Sequence, residues 1–496
     1  MKQLSSFLLA AIFVQSLQAA PAVDQAALDR IVNEAMSVWQ IPGAAIVVVK
    51  DGRIIHARGY GVRELGKTDP VNADTLFAIG STTKAFTTTA MAMLTAEGKM
   101  NWDDPVRRHL NYFRLSDPCA DSLVTLRDIV SHRTGLSRHD VLWDNSPWTR
   151  DEVVQRIGGV QLTKPFRSAY QYQNVMFIAA GQAVAASSGM TWEQFIQTRI
   201  LNPLGMARTK LSLGEAGHDP NHALGHSRSS TSGIVKRREP IDDTSVGPAG
   251  SMYSSARDFG RWLQFQLAGG VADGRRLISA EALGETHMPQ TVIRMEGSTR
   301  EWHPETNLMA YGLGWYVADY RAQRLVYHTG SLNGFRANVA FLPGENIGVA
   351  ILLNVGRSIA ALSIRNALLD QILGGEKRNW NEFYQAIDKK SDEEDEKEKK
   401  ARQAKRKLNT SPSRELATYA GTYRNPGYGD VVISAEPAAL WFRWSRLAVP
   451  LEHFHFDTFV VRSERDDLEE LLVFALNANG EPSTLRMFDE EFRKVE

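Results

Sequence analysis

Two apolar runs, Ala44 to Lys50 and Ile54 to Tyr60, flank Asp51-Gly52, a dipeptide that favours the tight turn of a two-residue β-hairpin. Far along the chain the same signal returns at Gly314 to Tyr320, Arg324 to Thr329, Ala337 to Pro343 and Gly348 to Asn354. Pro343-Gly344-Glu345-Asn346 makes the last of these turns. Ala26 to Trp39 and Ser358 to Leu373 have helical periodicity, and the long middle is rich in helix patterns and loops. Strands at both ends with helices between them are most economically one antiparallel sheet built from both ends of the chain. Terminal helices flank it and a helical insertion interrupts it, an α+β arrangement.

The chain of 496 residues has room for such a domain and a smaller one. Asp388 to Lys407 is a charge run, with sixteen of twenty residues Asp, Glu, Lys or Arg of mixed sign. The i,i+4 pairs Glu393–Lys397 and Glu396–Lys400 fit a solvated helix there. From Glu415 to Glu496 short apolar strands alternate with Gly, Asn and Asp turns, which predicts a small all-β barrel or sandwich. The expected division is a targeting segment at 1–20, the α+β domain at 21–375, a charged, partly helical linker at 376–412 and a β-barrel domain at 413–496.

Lys2 and the apolar run Leu8 to Val14, ahead of Leu17-Gln18-Ala19-Ala20, have the form of a signal peptide. They predict a secreted or periplasmic protein with no stable membrane span after cleavage. Formal net charge is +0, so no whole-chain field draws the protein to nucleic acid. The lone Cys119 excludes an intrachain disulfide framework and a Cys-based zinc site. Oligomeric state is not encoded in any pattern found here.

Chemistry concentrates at Ser81-Thr82-Thr83-Lys84, the one place where lysine follows serine at i+3. Three residues is nearly one helical turn, so both side chains share a face. An amine beside a hydroxyl activates a serine without histidine. Gly80 precedes the serine and a helix-like stretch follows, which places Ser81 near a helix N-terminus where developing negative charge is favoured. Such a serine also needs a proton shuttle, an oxyanion hole and a strand to align the substrate. Tyr172-Gln173-Asn174 supplies a phenol for proton transfer and an amide to bind Lys84 and substrate. His328-Thr329-Gly330-Ser331 closes a predicted strand, and Gly330 permits close backbone approach. The Ser331 N–H can then join the Ser81 N–H as the oxyanion hole.

In that order, Ser81-x-x-Lys84, Tyr172-x-Asn174 and His328-Thr329-Gly330 resemble the three motifs of the serine β-lactamase and penicillin-binding protein superfamily. Thr125 to Leu136, Asn202 to Met206 and Gly247 to Ser254 resemble its class C and D-peptidase-like branch. The tail from Tyr419 to Phe488 resembles a lipocalin-like domain found after some of these catalytic domains. The resemblance implies an acylated Ser81, Lys84 as general base, and Tyr172 sharing proton transfer and activating the deacylating water. It leaves the choice of principal base between Lys84 and Tyr172 open. No cofactor or metal is implied; the partner is a small-molecule or peptide substrate.

His328 departs from the lysine usual in β-lactamases and D-Ala-D-Ala carboxypeptidases, and resembles D-aminopeptidase, D-specific endopeptidase and esterase-like members. A mostly neutral imidazole is a poorer partner for a substrate carboxylate. The expected activity is thus that of a D-peptidase-like hydrolase, with a carboxylesterase as the alternative and a non-catalytic penicillin-binding or scaffold protein as the third reading. His218, His222 and His226 have the spacing of metal ligands, but the Gly, Asp and Pro among them argue against a regular helix. Gly225-His226-Ser227-Arg228-Ser229 lacks the closing glycine of a nucleophile elbow.

Overall fold

The computed structural model describes residues 23–144, 146–229, 234–240, 244–437, 439–463 and 468–495. The expected targeting segment lies outside them. The elements that build the site are, in chain order, α1 (Gln25–Trp39), β1 (Gly43–Lys50), β2 (Arg53–Gly61), α2 (Lys84–Ala96), α3 (Val175–Ser188) and α4 (Ala256–Leu267). They continue with β3 (Thr291–Ile293), β4 (Met309–Tyr311), β5 (Tyr316–Tyr320), β6 (Gln323–Leu332), β7 (Phe335–Leu342), β8 (Ile347–Leu353), α5 (Ala360–Leu373) and α6 (Trp380–Lys405).

The eight strands form one antiparallel sheet in the order β2-β1-β8-β7-β6-β5-β4-β3. β1 pairs with β8 in the register Ala44↔Leu353 to Lys50↔Ile347, so the two ends of the chain meet at its centre. Asp51 and Gly52 both take positive φ, 50° and 73°, as the tight hairpin turn requires. The short strands β3 and β4 escape prediction because three residues carry too little alternation to read.

Both faces of the sheet are covered, which is why β1 and β8 read as near-continuous apolar runs rather than alternating ones. Ile46, Val48, Leu325, Tyr327 and Ile351 pack on one face with Leu28, Val32 and Trp39 of α1 and Ile364 and Leu368 of α5. Val47, Val326, Val339 and Leu352 pack on the other with α2, α3 and α4. Asp24 caps α1 by accepting from the Ala27 N–H at 3.1 Å. α3 is apolar all round because it lies inside the helical insertion. The charge run forms most of α6, whose first turns bury Trp380 and Tyr384 against the sheet domain before the helix becomes exposed. Among the described residues no helix is long and apolar enough to cross a membrane.

The C-terminal strands β9 (Gly421–Asn425), β10 (Gly429–Glu436), β11 (Ala439–Trp444), β12 (Leu447–His455), β13 (Thr458–Ser463), β14 (Leu468–Leu476), β15 (Pro482–Met487) and β16 (Glu490–Val495) form a closed barrel. Each pairs with the next, and β9 closes on β16 through Tyr423↔Lys494. Inward residues such as Tyr423, Phe442, Leu472 and Phe492 fill it.

The β9–β10 turn docks on the larger α+β domain. Arg156 donates to the Gly427 carbonyl at 3.2 Å and stacks over Trp148 at 3.6 Å. A Cβ on Gly159 would lie 2.4 Å from the Gly427 nitrogen, so the backbones meet directly. Gly159→Val forces them apart and is expected to cost about 1–3 kcal/mol. Chemical denaturation of the full chain checks this, and wild-type stability would contradict the docking.

Candidate active site

Ser81 sits in a 3₁₀ turn, Gly80–Thr83, that runs without a break into α2. Thr82 ties this turn back to Ile79, whose N–H donates to the Met252 carbonyl at 2.9 Å. The turn then has to lie against β6, and two glycines make that possible. Gly80 takes φ +51°, and a Cβ there would lie 2.6 Å from the Ser331 nitrogen. A Cβ on Gly330 would lie 1.9 Å from the Ile79 carbonyl oxygen. The sequence assigned Gly330 a close approach by substrate; the close approach in the structure is by the backbone just before Ser81, at Ile79.

Pairing of β5 with β6 ends at Tyr316↔Tyr327, whereas pairing of β6 with β7 runs on to Leu332↔Phe335. Residues 328–332 therefore overhang β5. Beside them a cavity of 500 Å³ is lined by Thr329, Gly330, Ser331, Arg336, Ser358 and Leu362, among others. The Arg336 guanidinium contacts the Ser331 hydroxyl, and burial with the neighbouring Arg357 lowers its pKa to about 10.

Lys84 is fully buried. Its Nζ lies 2.6 Å from Asn174 Oδ1, 2.9 Å from the Ala249 carbonyl and 3.1 Å from Ser81 Oγ. Asn174 Nδ2 donates to Asp140 Oδ1 at 2.9 Å, which fixes the amide with its oxygen toward the lysine. Burial foremost, and then the positive charge of Arg138, hold the Lys84 pKa well below the ordinary lysine range; Asp140 opposes them. The amine is thus biased to its neutral form, with two N–H groups and one lone pair. Two of its three neighbours can only accept. They take the N–H groups, and the lone pair faces the Ser81 hydroxyl, the one neighbour that can donate.

Tyr172 lies beside this pair, with Lys84 Nζ 4.8 Å from its ring centre and Arg138 5.1 Å from it. Burial raises its pKa, the Tyr316 ring adds to this, and a hydrogen bond with Ser81 works the other way. The phenol therefore keeps its proton until another group takes it. His132 backs the tyrosine with ring centres 4.4 Å apart, and its Nδ1 accepts from the Gln173 N–H at 3.2 Å. Thr87 anchors the short helix Gly247–Gly250 through the Pro248 carbonyl, and so aims the Ala249 carbonyl at Lys84.

Ser81, Lys84, Tyr172 and Asn174 are brought together. His328 stands behind them. It is 1% exposed, and its Nδ1 lies 2.7 Å from the Thr329 carbonyl and its Nε2 2.9 Å from the Tyr311 hydroxyl. Sequence reasoning missed Arg138, Asp140 and Tyr311, and reached Ala249 only as part of the run Gly247 to Ser254. Arg138 and Asp140 belong to a loop of mixed polar residues without periodicity, which no spacing rule detects. Among the described residues, no group of three His, Cys, Asp or Glu side chains is placed to hold a metal. His226 is engaged elsewhere, by the Leu65 N–H and the Asn354 carbonyl.

A family profile described as "Beta-lactamase" matches residues 28–373, and "Domain of unknown function (DUF3471)" matches residues 405–496. The chain is 29% identical to "Unguisins hydrolase ungD'" of Aspergillus campestris over 81% of its own length and 76% of that protein. It is 25% identical to "Protein flp" of Staphylococcus aureus over 67% of its own length and 63% of that protein. Its fold is similar to that of the octameric penicillin-binding protein homologue from Pyrococcus abyssi. The TM-score is 0.61 at 20% identity, over 95% of this chain and 100% of that one.

Burial and the nearby Lys84 push the His328 pKa down to about 3. Its ring resonances are therefore expected to stay unchanged by NMR across the window of about pH 5–8 in which an unperturbed histidine titrates. A midpoint near the ordinary value of 6.5 would contradict the enclosed, neutral ring.

Proposed function

The chain belongs to the β-lactamase family, and from that premise we propose an exported serine hydrolase that cleaves an amide or ester bond through an acyl-enzyme on Ser81. The contact set of Lys84 Nζ carries this reading. Ser81 Oγ attacks the substrate carbonyl carbon while its proton passes to the Lys84 lone pair. The N–H groups of Ser81 and Ser331 hold the oxyanion. The bond to the leaving amine or alcohol then breaks, and the leaving atom takes the proton by way of the Tyr172 hydroxyl. Water, activated by Tyr172, attacks the acyl carbon. Tyr172 draws one proton from that water while Lys84 takes up the phenol's own, and the relay then protonates Ser81 Oγ as the acid leaves with the water's other proton.

The overhang of Thr329 to Ser331 beyond β5 supports an extended substrate laid along β6, with Asn174 holding its amide. His328 and Gly330 shape this end of the strand rather than adding a charge. The absence of a lysine at His328 supports a D-aminopeptidase-like or D-peptidase-like substrate over a carboxylate-anchored β-lactam. The fungal relatives' name, unguisins hydrolase, supports hydrolysis in general. The apolar segment Leu8 to Val14 supports a secreted or periplasmic location.

A fluorophosphonate probe is expected to add its mass to the protein at Ser81. Lys84→Arg puts a permanent positive charge there and cannot act as a base near neutral pH, so its labelling should fall by about 10²–10⁴. Labelling within a few-fold of wild type would sink the lysine-base mechanism. D-Aminoacyl anilides set against L-anilides and p-nitrophenyl esters decide the substrate. Ester turnover without anilide cleavage would replace the peptidase reading with a carboxylesterase.

A further inference from the structure

The loop from Ser137 to Trp143 carries two groups that touch the catalytic centre and one that the mechanism leaves unused. Arg138 lies over the Tyr172 ring and is ion-paired with Asp140. Asp140 Oδ1 accepts from Asn174 Nδ2 and from Trp143 Nε1, both at 2.9 Å. Between them His139 turns away, in the left-handed region at φ 44°. A non-glycine residue there is strained and persists only where its surroundings hold it. The loop's one regular element is a single 3₁₀ turn, Asp140–Leu142.

What holds His139 comes from the barrel. The Tyr428 hydroxyl lies 2.7 Å from His139 Nδ1, and Ser137 Oγ lies 2.9 Å from Nε2. Burial and the surrounding carboxylates of Glu490, Asp140, Asp489 and Glu470 raise the Tyr428 pKa. The phenol stays protonated and donates to Nδ1, so Nε2–H donates to Ser137. Tyr428 is itself rigid. Asn425 Oδ1 accepts from its N–H at 2.9 Å, its carbonyl accepts from Trp444 Nε1 at 2.9 Å, and its ring stacks on Trp444 and Phe488. The Arg156, Trp148 and Gly159 contacts clamp this turn to the catalytic domain. A firm lever thus runs from the barrel to a loop with little structure of its own.

We propose that the C-terminal barrel is an activating domain, in which Tyr428 is the positioning residue that holds Arg138 and Asp140 on Tyr172, Asn174 and Lys84 through His139. This rests on the hydrolase reading above. The charges facing Lys84 are Arg138 and Asp140 from this loop, with Tyr172 and His132 from neighbouring loops and His328 from β6. If the loop loosens, water enters and Arg138 withdraws, and both changes raise the Lys84 pKa. Loss of Asp140 lowers it by less, because Asp140 is the weakest of the three influences.

The test follows fluorophosphonate labelling of Ser81 against pH in the full chain. Tyr428→Phe removes only the hydroxyl. It should slow labelling about tenfold on the acid limb, the effect of about one unit of upward shift in the base's pKa, and move the half-maximal pH upward. His139→Asn tolerates the left-handed backbone, leaves the barrel untouched and should do the same. The double variant should be no slower than either single one, since one bond is being cut twice. Wild-type profiles in both variants would overturn the proposal. So would a drop of equal size at every pH, which marks loss of folded enzyme rather than loss of positioning. If one variant fails to fold, the other still decides. An unlabelled wild type would instead overturn the hydrolase reading and this inference with it.

Discussion

One buried amine organises the site. Lys84 is fully buried, so every N–H it keeps must find an acceptor and every charge it carries is penalised. Asn174 Oδ1 and the Ala249 carbonyl meet the first demand, and Arg138 adds to the second. What remains is a lone pair directed at Ser81 Oγ. The other features serve that arrangement. Asp140 orients Asn174, Thr87 holds the turn that bears Ala249, and His132 supports Tyr172.

The fold delivers these groups from distant parts of the sequence to one end of a sheet. The 3₁₀ turn and the first residue of α2 carry serine and lysine, the loop entering α3 carries tyrosine and asparagine, and the overhang of β6 lies across from them. Gly80 and Gly330 set how closely the Ser81 turn approaches that strand. The central strands are covered on both faces, one by α1 and α5 and the other by the helices of the insertion, so the site rests on a framework with two hydrophobic cores. The barrel adds a third body, and its Tyr428 reaches to within one residue of the groups that face Lys84.

Much of this was legible in the sequence because the signals were local. The Asp51-Gly52 turn, the paired apolar runs and the helix from Gln25 to Trp39 emerge with ends displaced by a few residues. The Ser81–Lys84 spacing survives because one helical turn is a local distance. The residues that tune the lysine were illegible for the opposite reason. Arg138, Asp140 and the Ala249 carbonyl act through contacts across 34 to 165 positions in the chain, and a carbonyl has no side-chain signature. His328 was read from its chemistry as a weak carboxylate partner. Its enclosure by Tyr311 depends on two strands meeting, which composition alone does not report.

The proposed mechanism needs Lys84 to lose its ammonium proton far more readily than an ordinary lysine does. Heteronuclear NMR of the protein with ¹⁵N-labelled lysine reads this directly, with Lys84→Arg identifying the signal. A neutral-amine nitrogen shift is expected for Lys84 at neutral pH, with a titration midpoint well below the ordinary lysine value of 10.5. An ammonium signal that persists until the pH nears that value would contradict it.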